Sequence, residues 1–77
     1  MKMTEGDPYS NLANEIVIQA AKDYVAALKK VKRNRSNAKA QKDLQEIEDF
    51  FHSRWYGELT SVSPEYLIRE LRKKVDE

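Results

Sequence analysis

Cysteine is missing from this chain, histidine and tryptophan occur once each, and glycine and proline twice each. Without cysteine there is no disulfide or thiolate metal site to reinforce the fold, an absence that fits a reducing compartment. One histidine and scattered carboxylates fall short of a metal-ligand set, and no cofactor is expected. Net charge is nearly absent too, at +1 although 35% of the residues are charged, so only the distribution of charge can argue for nucleic acid. No apolar run approaches the roughly 20 residues that span a bilayer. The opening residues lead into no apolar stretch of the kind a secretory signal needs, and Glu5 and Asp7 fit poorly with a transit peptide. A cytoplasmic protein with no membrane partner is therefore expected. With 77 residues the core is small. Such a chain buries about 60% of its unfolded surface and draws roughly 3–5 kcal/mol from it, so self-association would be a useful supplement.

The few glycines and prolines stand where helix boundaries are expected. Asp7 and Pro8 read as an N-cap followed by a proline at the first helical position. Residues 1–7 are then a flexible N-terminus, and residues 8–77 a single domain. From Pro8 to about Arg33, Val17, Ala21, Tyr24, Leu28 and Val31 recur at spacings of four and three, and Ile16, Ala20 and Ala27 widen that stripe on one side. The polar stretch 34–37 breaks the pattern, with Ser36 as the predicted cap of the next helix. Ala40, Leu44, Ile47, Phe51 and Trp55 form a second stripe, which Gly57 is expected to stop in a left-handed conformation. Ser63 and Pro64 open a third helix, with Val62 and Leu67 placed for a hydrophobic staple and Leu67, Ile68, Leu71 and Val75 as its apolar face.

The fold class is thus all-α. Three helices are predicted: a long antiparallel helical hairpin with a shorter third helix packed on its aromatic end. At 1.5 Å per residue the three run roughly 38, 30 and 18 Å. The third therefore covers only the end that holds Tyr9, Phe50, Phe51, Trp55 and Tyr56.

Chemistry has little to work with at that aromatic end. Phe51 and Trp55 share the stripe of Ile47 and are assigned to the core. His52 lies more than about 100° off the stripe and is expected at the surface. It is also Ser53's immediate neighbour on a helix and so points elsewhere, which leaves that hydroxyl without a base. Asp23 interrupts the row Ile16, Ala20, Ala27 and reads as an acid at a helix seam, with Arg54, Ser53 or residues 59–63 as its partners. No catalytic constellation emerges, and the chain is read as not an enzyme.

Two surfaces remain. Ile18 and Val25, seven residues apart, extend the apolar arc of the first helix on the flank opposite that row. Phe50 lies about 90° off its own stripe and either packs under the third helix or faces a partner. Ile18, Val25 and Phe50 are the candidate partner surface. The second surface is the hairpin tip, which carries Lys29, Lys30, Lys32, Arg33, Arg35, Lys39 and Lys42 with no acid among them, while Asp43, Glu46, Glu48, Asp49 and Glu58 follow against Arg54 alone. Such a tip suits a phosphate backbone, with Lys29, Lys30, Lys32, Arg33, Arg35 and Lys39 as the contacts.

Residues 20–73 resemble a group of short open reading frames of temperate phages and integrative elements of Gram-positive bacteria. The resemblance rests on Asp23 and Tyr24, on the run from Ile47 through Phe50, Phe51, His52 and Trp55 to Tyr56, on Leu59 and Thr60, and on Tyr66, Leu67, Ile68, Leu71 and Arg72. Arg54 and the Ser63–Pro64 pair depart from that pattern. The resemblance implies a bacterial or phage cytoplasmic setting and no activity. The resulting expectation is a small non-enzymatic protein that binds another protein or itself as a homodimer, the alternative being a nucleic-acid accessory protein that uses its basic tip.

Overall fold

The computed structural model describes residues 14–76. The expectations attached to Asp7, Pro8 and Tyr9, and the flexible stretch 1–7, lie outside the described residues.

All regular structure in the described residues is helical, in four helices: α1 (Glu15–Arg33), α2 (Ala38–Phe51), α3 (Arg54–Leu59) and α4 (Pro64–Asp76). The predicted count was three, and the difference comes from local hydrogen bonding. Asn14 has an extended backbone (φ −102°, ψ 125°), and its side chain accepts from the N–H groups of Ile16 and Val17, so α1 starts at Glu15. In the 34–37 turn, the Asn34 side chain accepts from both the backbone N–H and the hydroxyl of Ser36. That commits Ser36 to the turn. Asn37, rather than Ser36, caps α2 by accepting from the Ala40 N–H at 3.0 Å.

The extra helix is Ser53's doing. Its hydroxyl donates to the Phe50 carbonyl at 2.6 Å, closing α2, and accepts from the Tyr56 N–H at 3.2 Å, opening α3. The backbone between is extended at Ser53 (φ −83°, ψ 161°), which resets the helical phase. The stripe Ile47, Phe51, Trp55 therefore does not continue. Trp55, assigned to the core from the sequence, is 54% exposed, and Tyr56 is buried in its place.

Gly57 does not end a helix either: it lies inside α3, outside the left-handed region, and a Cβ built there meets nothing within 4 Å. Alanine loses less conformational entropy on folding than glycine. Gly57→Ala is accordingly expected to stabilise the fold by about 0.5–1 kcal/mol, read as a rise in the urea midpoint at constant slope. A clear loss of stability would mean that this position needs glycine after all.

The core gathers Val17, Ala21, Tyr24, Val25 and Leu28 from α1, Phe51 from α2, Tyr56 from α3, and Leu67 and Leu71 from α4. The Phe51 ring sits 5.6 Å from both Tyr24 and Tyr56 in edge-to-face arrangements. Ser63 caps α4 as predicted, accepting from the Tyr66 N–H at 3.4 Å. The reach of α4 differs from the expectation. Lys32, in the last turn of α1, donates to the Val75 carbonyl at 3.3 Å and lies 3.8 Å from Asp76. The last helix thus follows α1 from the aromatic end as far as Lys32, rather than covering the aromatic end alone.

Candidate functional site

Ile18, Val25 and Lys32 are seven residues apart in turn and share one row of α1. The α4 contacts of Lys32 show what that row faces. Val25 is only 6% exposed and Ile18 is half-buried against the core. The apolar flank read from the sequence as a free partner surface is therefore the one α4 occupies. Phe50 is half-buried too, with its ring 5.9 Å from both Phe51 and Tyr56.

The opposite flank is open. Ile16, Ala20 and Phe50 line a shallow depression with Glu15, Gln19 and Asp23, and it runs on through Asp23 into a second one lined by Ala26, Lys30, Asp43, Glu46 and Ile47. Together they form a groove along the junction of α1 and α2. Ile16, 52% exposed, stands at one end of it. Its rim is mostly acidic, from Glu15, Asp23, Asp43 and Glu46, with Lys30 as the cation. Asp23 is exposed and accepts from Gln19 Nε2 at 2.9 Å within α1, not from Arg54, Ser53 or residues 59–63. Ala27 in the Ile16–Ala20–Ala27 row is buried, but Ile16 and Asp23 are exposed, and the acid was the signal that the row opens to water at that end.

A polar seam ties the three long helices together. The Tyr24 hydroxyl donates to Glu48 Oε2 at 2.5 Å, and Arg72 Nη2 donates to the same oxygen at 3.1 Å. Burial pushes the Tyr24 hydroxyl well above its ordinary range, the bond to Glu48 adds to this, and the charge of Arg72 opposes it. Burial also raises Tyr56, whose hydroxyl donates to the Val62 carbonyl at 2.9 Å. Both tyrosines hold helices and loops in place and keep their protons. His52 is exposed, its Nδ1 3.0 Å from the Glu48 carbonyl oxygen and its Nε2 3.6 Å from Glu65 Oε2. Backbone N–H bonding at the head of α4 holds the Glu65 carboxyl below its usual range, with the Ser63 hydroxyl assisting. The Ser53 hydroxyl is taken up by its two capping bonds. Among the described residues no group of three or more His, Asp or Glu side chains is placed to hold a metal ion.

The basic tip is exposed throughout, at Lys29, Lys30, Lys32, Arg33, Arg35 and Lys39. Two of its cations are already engaged, Lys32 with Asp76 and the Val75 carbonyl, and Lys39 with Asp43 at 3.6 Å. No helix among the described residues is long and apolar enough to cross a membrane. In comparisons with known proteins no family model matches the chain, and neither a curated protein nor a solved structure matches it.

Proposed function

We propose that the chain is a small non-enzymatic protein of the phage or integrative-element type its sequence resembles, which works in the cytoplasm by docking a partner helix in the α1–α2 groove. The observation that carries this reading is the open flank itself. Ile16 is a large apolar side chain left half in water on a helix whose other apolar rows are covered, and Ala20, Ile47 and Phe50 continue its surface. The acidic rim defines the occupant as a helix with an apolar stripe and Lys or Arg beside it. Small Ala20 and Ala26 let its backbone come close.

The basic tip supports a nucleic-acid role less well. Lys32 and Lys39 have acidic partners, and Asp43, Glu46 and Asp76 stand close enough to repel a phosphate backbone.

The test uses a fluorescent amphipathic helical peptide with a leucine stripe flanked by lysine and arginine, and a twin flanked by glutamate. The full chain should raise the anisotropy of the first and not of the second, with affinity falling as salt rises. Ile16→Lys should weaken that binding at least about tenfold, since it puts a long cation where an apolar anchor is needed and costs the exposed site little stability. Equal binding of both peptides, or binding indifferent to Ile16→Lys, would remove the groove from consideration.

A further inference from the structure

Glu15, Gln19, Asp23, Ala26, Lys30 and Arg33 follow one another at spacings of four and three and so lie on one face of α1. All six are exposed. The face is polar in a directional way, with its acids in the first half and its cations in the second. Ile16 and Ala20 border it on the groove side. A helix with an apolar edge and basic residues is the occupant assigned to the groove above, and the chain carries one in its own α1.

We infer that the groove is filled by α1 of a second copy, the two helices running antiparallel about a two-fold axis near the middle of α1. This rests on the docking role proposed for the groove and names its occupant. A two-fold arrangement needs a self-complementary surface. Reversal of direction supplies one here: Glu15 of one copy comes opposite Arg33 of the other, and Lys30 falls between the levels of Glu15 and Asp23. Ile16 then packs on the aliphatic stems of Lys30 and Arg33 from the second copy. Asp23 and Ala26 lie on either side of the axis, where the small Ala26 permits close approach and the two exposed Asp23 carboxylates form the like-charged pair that the outer Glu15–Arg33 pairs must outweigh. A parallel pairing would set every acid against an acid and every cation against a cation, where the antiparallel one does so at Asp23 alone. Residues 1–13 are a poorer occupant, because Glu5 and Asp7 outnumber Lys2 and would meet an acidic rim.

Because each contact occurs twice in a two-fold dimer, a single substitution acts twice. Sedimentation equilibrium of the full chain at up to about 300 μM should show a monomer–dimer equilibrium in the micromolar range, as suits a small, half-polar interface. It should weaken at high salt. Arg33→Glu should raise the dimer dissociation constant on the order of fivefold to thirtyfold, and so should Glu15→Arg. The combination of the two should restore most of the loss, which a general defect in folding would not do. Ile16→Lys should abolish the dimer while circular dichroism stays unchanged.

The outcomes separate the two readings. A chain that stays monomeric at 300 μM yet binds the basic peptide through Ile16 overturns the second copy and keeps the docking groove. A monomer that binds neither overturns both. A dimer insensitive to Ile16→Lys, or one that the charge exchange does not rescue, places self-association on another surface and overturns the inference.

Discussion

Phe51→Ala is expected to leave the chain without a cooperative unfolding transition at room temperature, while Trp55→Ala leaves stability nearly unchanged. Phe51 is fully buried, at 0% exposure, and its ring meets Tyr24, Phe50 and Tyr56 at centroid distances of 5.6, 5.9 and 5.6 Å. Truncating such a side chain removes its transfer free energy and leaves a cavity among rings that cannot collapse onto one another, at a cost of about 3–5 kcal/mol. That equals the whole of what a core in this size range supplies. Trp55 is 54% exposed, and exposed substitutions fall within about 0.5 kcal/mol of neutral. Urea titrations followed by circular dichroism separate the two cases. Comparable losses at both positions would show that Trp55 belongs to the core, as unbroken helical phasing implies.

The second large effect is alkaline unfolding. Tyr24 and Tyr56 both hold their protons beyond the ordinary value of 10.0, chiefly because burial penalises the phenolate. Above that pH the unfolded chain releases protons that the folded chain keeps. Stability is therefore full below pH 10 and falls as pH rises toward the folded-state values. The slope approaches about 1.4 kcal/mol per pH unit for each tyrosine. Both losses draw on a core of only roughly 3–5 kcal/mol, so the chain is expected to unfold in alkali. Tyrosinate absorbance and loss of helical dichroism should thus rise as one transition. Tyr24→Phe should cost about 1 kcal/mol at neutral pH, because Glu48 loses a donor, and should flatten the alkaline limb. Phenolate formation by these two groups near pH 10 with the helices intact would contradict their burial.

Much of this fold was legible where side-chain chemistry acts locally. The spacing of Val17, Ala21, Tyr24 and Leu28 announced the buried face of α1, and Ser63 followed by Pro64 announced the start of α4. The break at Ser53 was not legible. A serine within a helical pattern looks neutral, and here one hydroxyl satisfies a carbonyl at the end of one helix and an N–H at the start of the next. Periodicity runs straight through such a break, which is why Trp55 was assigned to a core that holds Tyr56 instead. The open groove was missed for a different reason. The Tyr24 stripe has apolar rows on both sides, Ile16 with Ala20 and Ile18 with Val25, and α4 covers one of them. Composition does not say which. The contacts do, through Lys32 at the far end of the Ile18–Val25 row, whose ammonium reaches the last turn of α4.

The placement of α4 also has a consequence in time. Tyr24 and Glu48 are 24 residues apart and joined through one tight turn, so their pairing lies within reach as soon as α2 is made. Lys32 and Val75 are 43 residues apart, and Leu67 and Leu71 join the core only when α4 arrives. A helical pair closes in microseconds to milliseconds. In refolding, the α1–α2 pair with its short turn is therefore expected to close first and α4 to dock last, and until α4 docks Glu48 holds Tyr24 without its arginine.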